Sequence, residues 1–200
     1  MDMEKPSKMT RQLRLYYRLN SSQIIGPDDI MQEFNITRRM LQRDLKDIRD
    51  SGLLNTKLDR ANNSYVKIAA VAFDEKISDR RKAHLIRLYR IGTLIWSLPH
   101  ISKATLHMYE NKIEEYEYAL QESLDDPKQY PPEYLPDKPE LPEFPDLKAQ
   151  YYELFPDSNE RTRQRDFEEL NRAGFRIYYE RKYKAFFFEC DEYTGELMDI

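Results

Sequence analysis

The densest run of side chains able to do chemistry lies between Thr37 and Arg49. There Arg38, Arg39, Gln42, Arg43, Lys46 and Arg49 are interleaved with Met40, Leu41, Leu45 and Ile48. Guanidinium and ammonium groups neutralise phosphates and release their counterions, and Arg and Gln side chains pair with the edges of bases. At helical spacing the apolar residues share one side and the cations mostly the other. The pattern therefore predicts a helix that docks by one face and offers a cationic face to an anionic partner. A second, smaller group follows at Lys57, Arg60, Asn62 and Asn63. A third lies near the C-terminus, where Arg161, Arg163, Arg165, Arg172, Arg181, Lys182 and Lys184 are mixed with Glu160, Glu168 and Glu169.

Other chemistries find little support. Neither a Gly-rich phosphate loop nor a dinucleotide-binding G-x-G-x-x-G occurs among the 5 glycines. His84, His100 and His107 fall in no zinc-binding spacing, and Cys190 stands alone, which excludes an internal disulfide and a Cys-based zinc site. No G-x-S-x-G is present. The carboxylates from Glu110 to Asp126 could suggest a metal-dependent nuclease, but their spacing reads as a solvated helix face running into a linker. The expectation is a protein without catalytic machinery, metal or cofactor. The longest apolar-leaning stretch, Ile91 to Pro99, falls far short of the roughly 20 residues needed to cross a bilayer. The first twelve residues lack the apolar core of a secretory signal, so a cytoplasmic protein with no membrane partner is expected.

Charge is unevenly spread along the 200 residues, whose net charge is -4. Residues 1–67 carry +4 and 68–100 carry +3, whereas 101–160 carry -10 and 161–200 carry -1. An anionic partner would thus meet the N-terminal half.

The elements that must position these groups can be read from local signals. Met9, Leu13, Tyr16, Tyr17 and Leu19 mark a first helix. Pro27, Asp28 and Asp29 open a short second one, with Ile30, Met31 and Phe34 inward and a turn at Asn35-Ile36. Thr37 is suited to cap the basic helix, and Gly52 to end it. Leu53–Lys57 and Tyr65–Ile68 can pair as a hairpin across the polar loop 59–64. Ser78 or Asp79 starts a helix running to about Leu98, apolar on several sides and so expected to be well buried. Ser102 can cap another, to about Ser123, with Leu106, Tyr109, Ile113, Tyr116 and Leu120 at heptad-like spacing. That seam fits either packing within the chain or a dimer interface. Residues 127–146 hold seven prolines among acids and predict an extended linker.

Helix, short helix, tight turn, capped basic helix, glycine and hairpin, in that order, predict a winged helix-turn-helix. The run Ile36-Thr37-Arg38-Arg39-Met40-Leu41-Gln42-Arg43-Asp44-Leu45 resembles the V-S-x-R-T-I-x-R-D-L signature of DeoR-type and WYL-domain bacterial transcriptional regulators. Ser51-Gly52-Leu53 is similar to the A-G-L that follows it there, while Met40 departs from the family's Thr. The resemblance covers about residues 9–68 and reaches no effector domain of that family. It implies DNA binding, with Arg38, Arg39 and Gln42 toward base edges and Thr37 and Arg43 toward phosphates. Each residue also has a plainer reading: Thr37 as a cap, Arg43 as an i,i+4 partner of Asp47, Lys46 and Arg49 as solvated charges, Asp44 as the structural partner of an Arg.

The chain then repeats part of this theme. Gln42-Arg43-Asp44 through Gly52-Leu53 aligns at constant offset with Gln164-Arg165-Asp166 through Gly174-Phe175. Ser158 can cap the second helix, and strands Phe175–Glu180 and Ala185–Glu189 flank a basic turn. The position of a preceding first helix falls in the proline linker, so the copy reads as incomplete. Phe186, Phe187 and Phe188 suggest a strand apolar on both faces, favouring protein contact over DNA there.

The expectation is a mostly α chain with small β-hairpin wings, an α+β fold. Residues 1–70 would form a winged helix-turn-helix DNA-binding domain, 71–126 a helical connector and dimerisation region, 127–146 a Pro-rich acidic linker, and 147–200 a C-terminal winged-helix-like unit. The function expected is a sequence-specific transcriptional regulator. It would bind double-stranded DNA as a homodimer, because one recognition helix reads too few base pairs. The rival reading is a winged-helix subunit of a larger complex, such as a chromosome-organising one, contacting protein at its C-terminal unit.

Overall fold

The computed structural model describes residues 6–21, 24–68, 78–140 and 143–190. Among these the chain is mostly helical with two small antiparallel hairpins, an α+β arrangement. The elements are α1 (Lys8–Ser21), α2 (Pro27–Glu33), α3 (Arg38–Asp50), β1 (Asn55–Asp59), β2 (Ser64–Ile68), α4 (Asp79–Ser97), β3 (Ile101–Ser102), α5 (Lys103–Asp125), α6 (Leu147–Leu154), α7 (Glu160–Arg172), β4 (Ile177–Glu180) and β5 (Ala185–Cys190). No described helix is long and apolar enough to cross a membrane. The boundary expected at residue 70, the Ser102 side chain and Pro142 lie outside the described residues.

Two compact units result. One takes in Met1–Leu98 and Lys148–Ile177, the other Pro99–Leu147 and Tyr178–Asp199. The α4 helix thus groups with the N-terminal helices, and so do α7 and nearly all of α6.

In the first unit, local signals start and stop the helices. Pro27 occupies the first turn of α2, and the Asp29 carboxylate accepts from the Gly26 N–H. Asn35 takes a left-handed φ of 48° to turn the chain toward α3. The Thr37 hydroxyl accepts from the Met40 N–H at 3.3 Å. Gly52, at φ 86°, lets the chain leave α3. The hairpin pairs Asn55 with Ile68 and Asp59 with Ser64. It begins two residues later than the apolar pattern suggests, because Leu53 is drawn into packing. Its methyls press so closely on Gly92 of α4 that a Cβ there would sit 2.5 Å from Leu53 Cδ1. A backbone hydrogen bond from Tyr65 N–H to the Ile25 carbonyl, 2.9 Å, ties the hairpin to the segment before α2.

Burial of α4 is one-sided rather than all-round. Leu85, Leu88, Ile91, Leu94 and Ile95 are inaccessible, but Ile86, Tyr89 and Trp96 remain exposed. Several-sided apolarity is a poor guide here, since a helix in so small a unit meets neighbours on only part of its circumference. Two further corrections concern the second half. Helix α6 was not anticipated; it buries Leu147 and Tyr151. The cap of α7 is Asn159 and not Ser158: its Oδ1 accepts from the Thr162 N–H at 2.9 Å.

The likeness of α3 and α7 extends to their two ends. Thr37 and Asn159 cap α3 and α7 in equivalent ways, and Gly52 and Gly174 leave them with φ of 86° and 95°. The helix that supplies cations to α7 as α1 does to α3 is α4, which precedes the acidic, proline-rich segment. At one constant offset Lys8 and Arg11 of α1 correspond to Arg87 and Arg90 of α4. Lys8 pairs with Asp47 and Arg11 with Asp44 on α3; Arg87 pairs with Glu169 and Arg90 with Asp166 on α7. At the same offset Tyr17 corresponds to Trp96, and these two rings stack at 5.4 Å. Helix α5 and the proline-rich segment lie between α4 and α7, so the relation is not visible immediately upstream of α7.

In the second unit the strand order is β3-β5-β4, with Ile101 opposite Glu189 in a parallel pairing. Phe187 and Phe188 are buried. Phe144 meets Phe187 edge-on at 4.9 Å, and His100 lies 4.3 Å from Phe188. The Lys182 ammonium and the Tyr183 hydroxyl both donate to Glu110 of α5. The proline segment is extended around Pro131 and Leu135, but a turn over 127–129 and a 3₁₀ turn at Pro132–Tyr134 interrupt it among the described residues.

Candidate nucleic-acid interface

The α3 helix divides its charges by sign. Both interior acids point inward: Asp44 and Asp47 are 1% and 3% exposed. Arg11 donates to Asp44 through Nε (2.6 Å) and Nη2 (3.3 Å), and the Gln12 amide bridges Asp44 and Asp47 at 3.1 and 3.0 Å. Asp47 also receives Lys8 at 2.6 Å and Arg81 at 3.0 Å. Burial would raise the Asp47 carboxyl, but hydrogen bonds from Lys8, Gln12 and Arg81, with the Lys8 charge, outweigh it and hold the group below its ordinary value. The carboxylates of the helix are thus consumed by α1 and α4.

The outer face keeps the cations. Arg38, Arg39, Gln42, Arg43 and Lys46 are all exposed. Arg43 has no ion pair with Asp47, whose oxygens are taken from the inside. Arg49 behaves differently and pairs with Asp50 at 3.1 Å. Thr37 performs its capping role while remaining exposed at the start of this face.

The hairpin stands beside the start of α3. Burial raises the Tyr65 hydroxyl, while the Arg38 charge works the other way. Lys57, Arg60 and Asn62 are exposed. Asn62 has a local duty: its amide donates to Asp59 at 2.7 Å while the Ala61 N–H donates to the other Asp59 oxygen at 3.0 Å. These bonds, with Asn63 at φ 47°, fix the loop that carries Arg60. The arrangement presents a cationic helix face on α3 and a polar hairpin whose Tyr65 feels the Arg38 charge. Such a surface can neutralise phosphates and direct planar donors at base edges.

The expected interface residues are distributed unevenly. Leu106, Tyr109, Ile113, Tyr116 and Leu120 are each half-buried in the second unit, where Tyr109 lies 6.2 Å from Tyr183. Phe187 and Phe188 belong to that unit's core, which leaves Phe186, half-buried and 5.1 Å from Tyr179, as the accessible member. Among the described residues, no three His, Cys, Asp or Glu side chains gather in a way that could hold a metal ion.

Sequence reasoning missed the cations Lys8, Arg81, Arg87 and Arg90 and the acids Asp47 and Glu169 as a paired set. The signal was present in the repeated Q-R-D, which carries a buried acid in both copies. No protein-family model matches the chain, and neither does any curated protein or solved structure.

Proposed function

We propose that the protein is a sequence-specific DNA-binding regulator whose residues 9–68 act as a winged helix-turn-helix. Helix α3 enters the major groove, with Arg38, Arg39 and Gln42 toward base edges and Thr37, Arg43 and Lys46 toward phosphates. Lys57, Arg60 and Asn62 of the hairpin meet the adjoining backbone. The observation that carries this reading is the sorting of charge on α3. Its acids Asp44 and Asp47 are buried and neutralised, while Arg38, Arg39, Arg43 and Lys46 stay exposed on the opposite face. Folding one face of a helix around carboxylates supplied with outside cations leaves the other face net positive, as a phosphate-contacting surface must be.

The test is selection of bound genomic fragments by the purified protein, followed by fluorescence anisotropy across a salt series. The expected result is recovery of a defined sequence. With Arg39→Ala/Arg43→Ala, affinity drops roughly 10- to 100-fold, and the slope of log affinity against log salt is reduced by about 1, the share of the Arg43 phosphate contact. Weak, sequence-blind binding that the double change leaves intact would overturn the proposal.

A further inference from the structure

Helix α7 repeats the inner face of α3 and the middle of its outer face. At the offset that relates the two helices, Arg39, Gln42 and Arg43 correspond to Arg161, Gln164 and Arg165. All three of the latter are exposed. The inner faces match too: Asp166 and Glu169, 0% and 4% exposed, take the places of Asp44 and Asp47. Arg90 binds Asp166 through two nitrogens, and the buried Tyr151 hydroxyl donates to the same carboxylate at 2.8 Å. Arg87 donates to Glu169 at 2.9 Å, and Thr10 of α1 does so at 3.1 Å. The same device, acids turned inward onto cations of α1 and α4, therefore operates twice. Helices α1 and α4 are the shared centre of the arrangement, and the stacked Tyr17 and Trp96 are equivalent residues meeting each other. That is the signature of an approximate two-fold axis within one chain.

The acids on α7 that lack a counterpart on α3 are largely answered locally. Glu160 receives Arg163 at 2.5 Å, the Tyr152 hydroxyl at 2.8 Å, Gln164 at 3.2 Å and Lys148 at 3.7 Å. The Arg163 and Tyr152 hydrogen bonds hold its carboxyl down at about 2. Glu168 lies 3.7 Å from Arg172. Arg161 and Arg165 are left as the outward charges of the helix.

We infer that Arg161, Gln164 and Arg165 form a second duplex-DNA contact surface, and that one chain reads two inverted half-sites of the same duplex. The inference rests on the DNA-binding reading above. A two-fold relation between reading helices is what an inverted repeat demands, since the two strands of duplex DNA are themselves related by two-fold axes. A homodimer ordinarily supplies that relation; here a single chain contains it. Glu160 stands where α3 has Arg38 and Glu168 where it has Lys46, so the second surface is the weaker of the two.

The experiment uses the full chain and a duplex recovered by selection, intact or with one half-site scrambled. Anisotropy is measured for wild type, Arg39→Ala/Arg43→Ala, Arg161→Ala/Arg165→Ala and Glu168→Lys, with stoichiometry from sedimentation. All substituted side chains are exposed, and unchanged thermal melting checks that the variants fold. On the intact duplex Arg161→Ala/Arg165→Ala is expected to weaken binding roughly 10- to 100-fold. It should have no effect on the duplex that keeps only the half-site read by α3. Glu168→Lys should tighten binding and steepen the salt slope by about 1. One chain per duplex is expected. Loss of binding in the α3 variant alone would overturn this inference and leave the DNA-binding reading standing. No loss in either double variant would overturn both. Two chains per intact duplex, or one chain joining two separate duplexes, would overturn the assignment of both surfaces to one site.

Discussion

Asp44→Asn isolates the reasoning on which the charge sorting of α3 depends. The substitution keeps the shape of a side chain that is 1% exposed but removes its charge. Arg11, whose side chain is 14% exposed, then loses the carboxylate to which it donates at 2.6 and 3.3 Å. Breaking a buried ion pair by removing one partner costs about 3–5 kcal/mol, because the other charge stays desolvated. Arg11 keeps some contact with water, so the expected cost is about 3 kcal/mol, near the bottom of that range. Trp96 is the only tryptophan, and it stacks on Tyr17 within the same unit, so its fluorescence follows this unit directly. With a urea dependence of roughly 2–3 kcal/mol per molar, the midpoint should fall by roughly 1–1.5 M. Arg11→Met/Asp44→Leu should recover most of the loss, since an apolar pair of similar volume avoids the desolvation of both charges. A cost below about 1 kcal/mol for Asp44→Asn, or a double variant as unstable as the single one, would refute the argument. So would a stable Asp44→Asn protein that no longer binds DNA, because the carboxylate would then be acting outward.

Thr37→Ala should destabilise the protein by about 1 kcal/mol through loss of the bond to the Met40 N–H, read as a lower urea midpoint. Gly52→Ala should cost about 1 kcal/mol from its φ of 86° alone, since a Cβ there meets nothing within 4 Å. Gly92→Ala should cost about 1–3 kcal/mol for the opposite reason, a collision with Leu53 at ordinary backbone geometry, and Leu53→Ala should suppress that cost in a double-variant comparison. Two groups of the first unit contribute on the acid side of the stability profile. Burial, then the Lys8 charge, hold His84 below its ordinary value; the folded chain therefore binds fewer protons than the unfolded one just below about pH 6.5, and stability falls with pH there. His84→Gln should flatten that step in pH-dependent melting. Asp47 is likewise lowered, so its contribution is complete above the ordinary carboxylate range and is lost as pH falls through its folded value; Lys8→Met should shrink that loss.

Local grammar carried much of the first half of the chain. Caps, helix period and left-handed turn residues act over three or four residues, so Thr37, Pro27 and Gly52 could be assigned from sequence, as could the hairpin to within two residues. The outward cations of α3 were equally legible, because a helix with one apolar side has only one other side to offer. What the pattern concealed was the inward turn of Asp44 and Asp47. Charged residues are read as solvated by default, and their burial depends on cations held far away in sequence, at Lys8, Arg11 and Arg81. The distribution of the three Phe residues shows the same limit: alternation cannot say which neighbours exist, and Phe144 and His100 turn two of the three into core.

By itself, then, the amino-acid sequence determined most local elements of the first half, the cationic face of α3 and the likeness of α7 to it. Tertiary structure alone decided that α4 serves α7 as α1 serves α3, because that relation spans α5 and the proline-rich segment and is expressed in pairs rather than in matching letters. Lys8 with Asp47 and Arg87 with Glu169 preserve one geometry with different residues, since an ion pair requires opposite charges at the right distance and not any particular side chain.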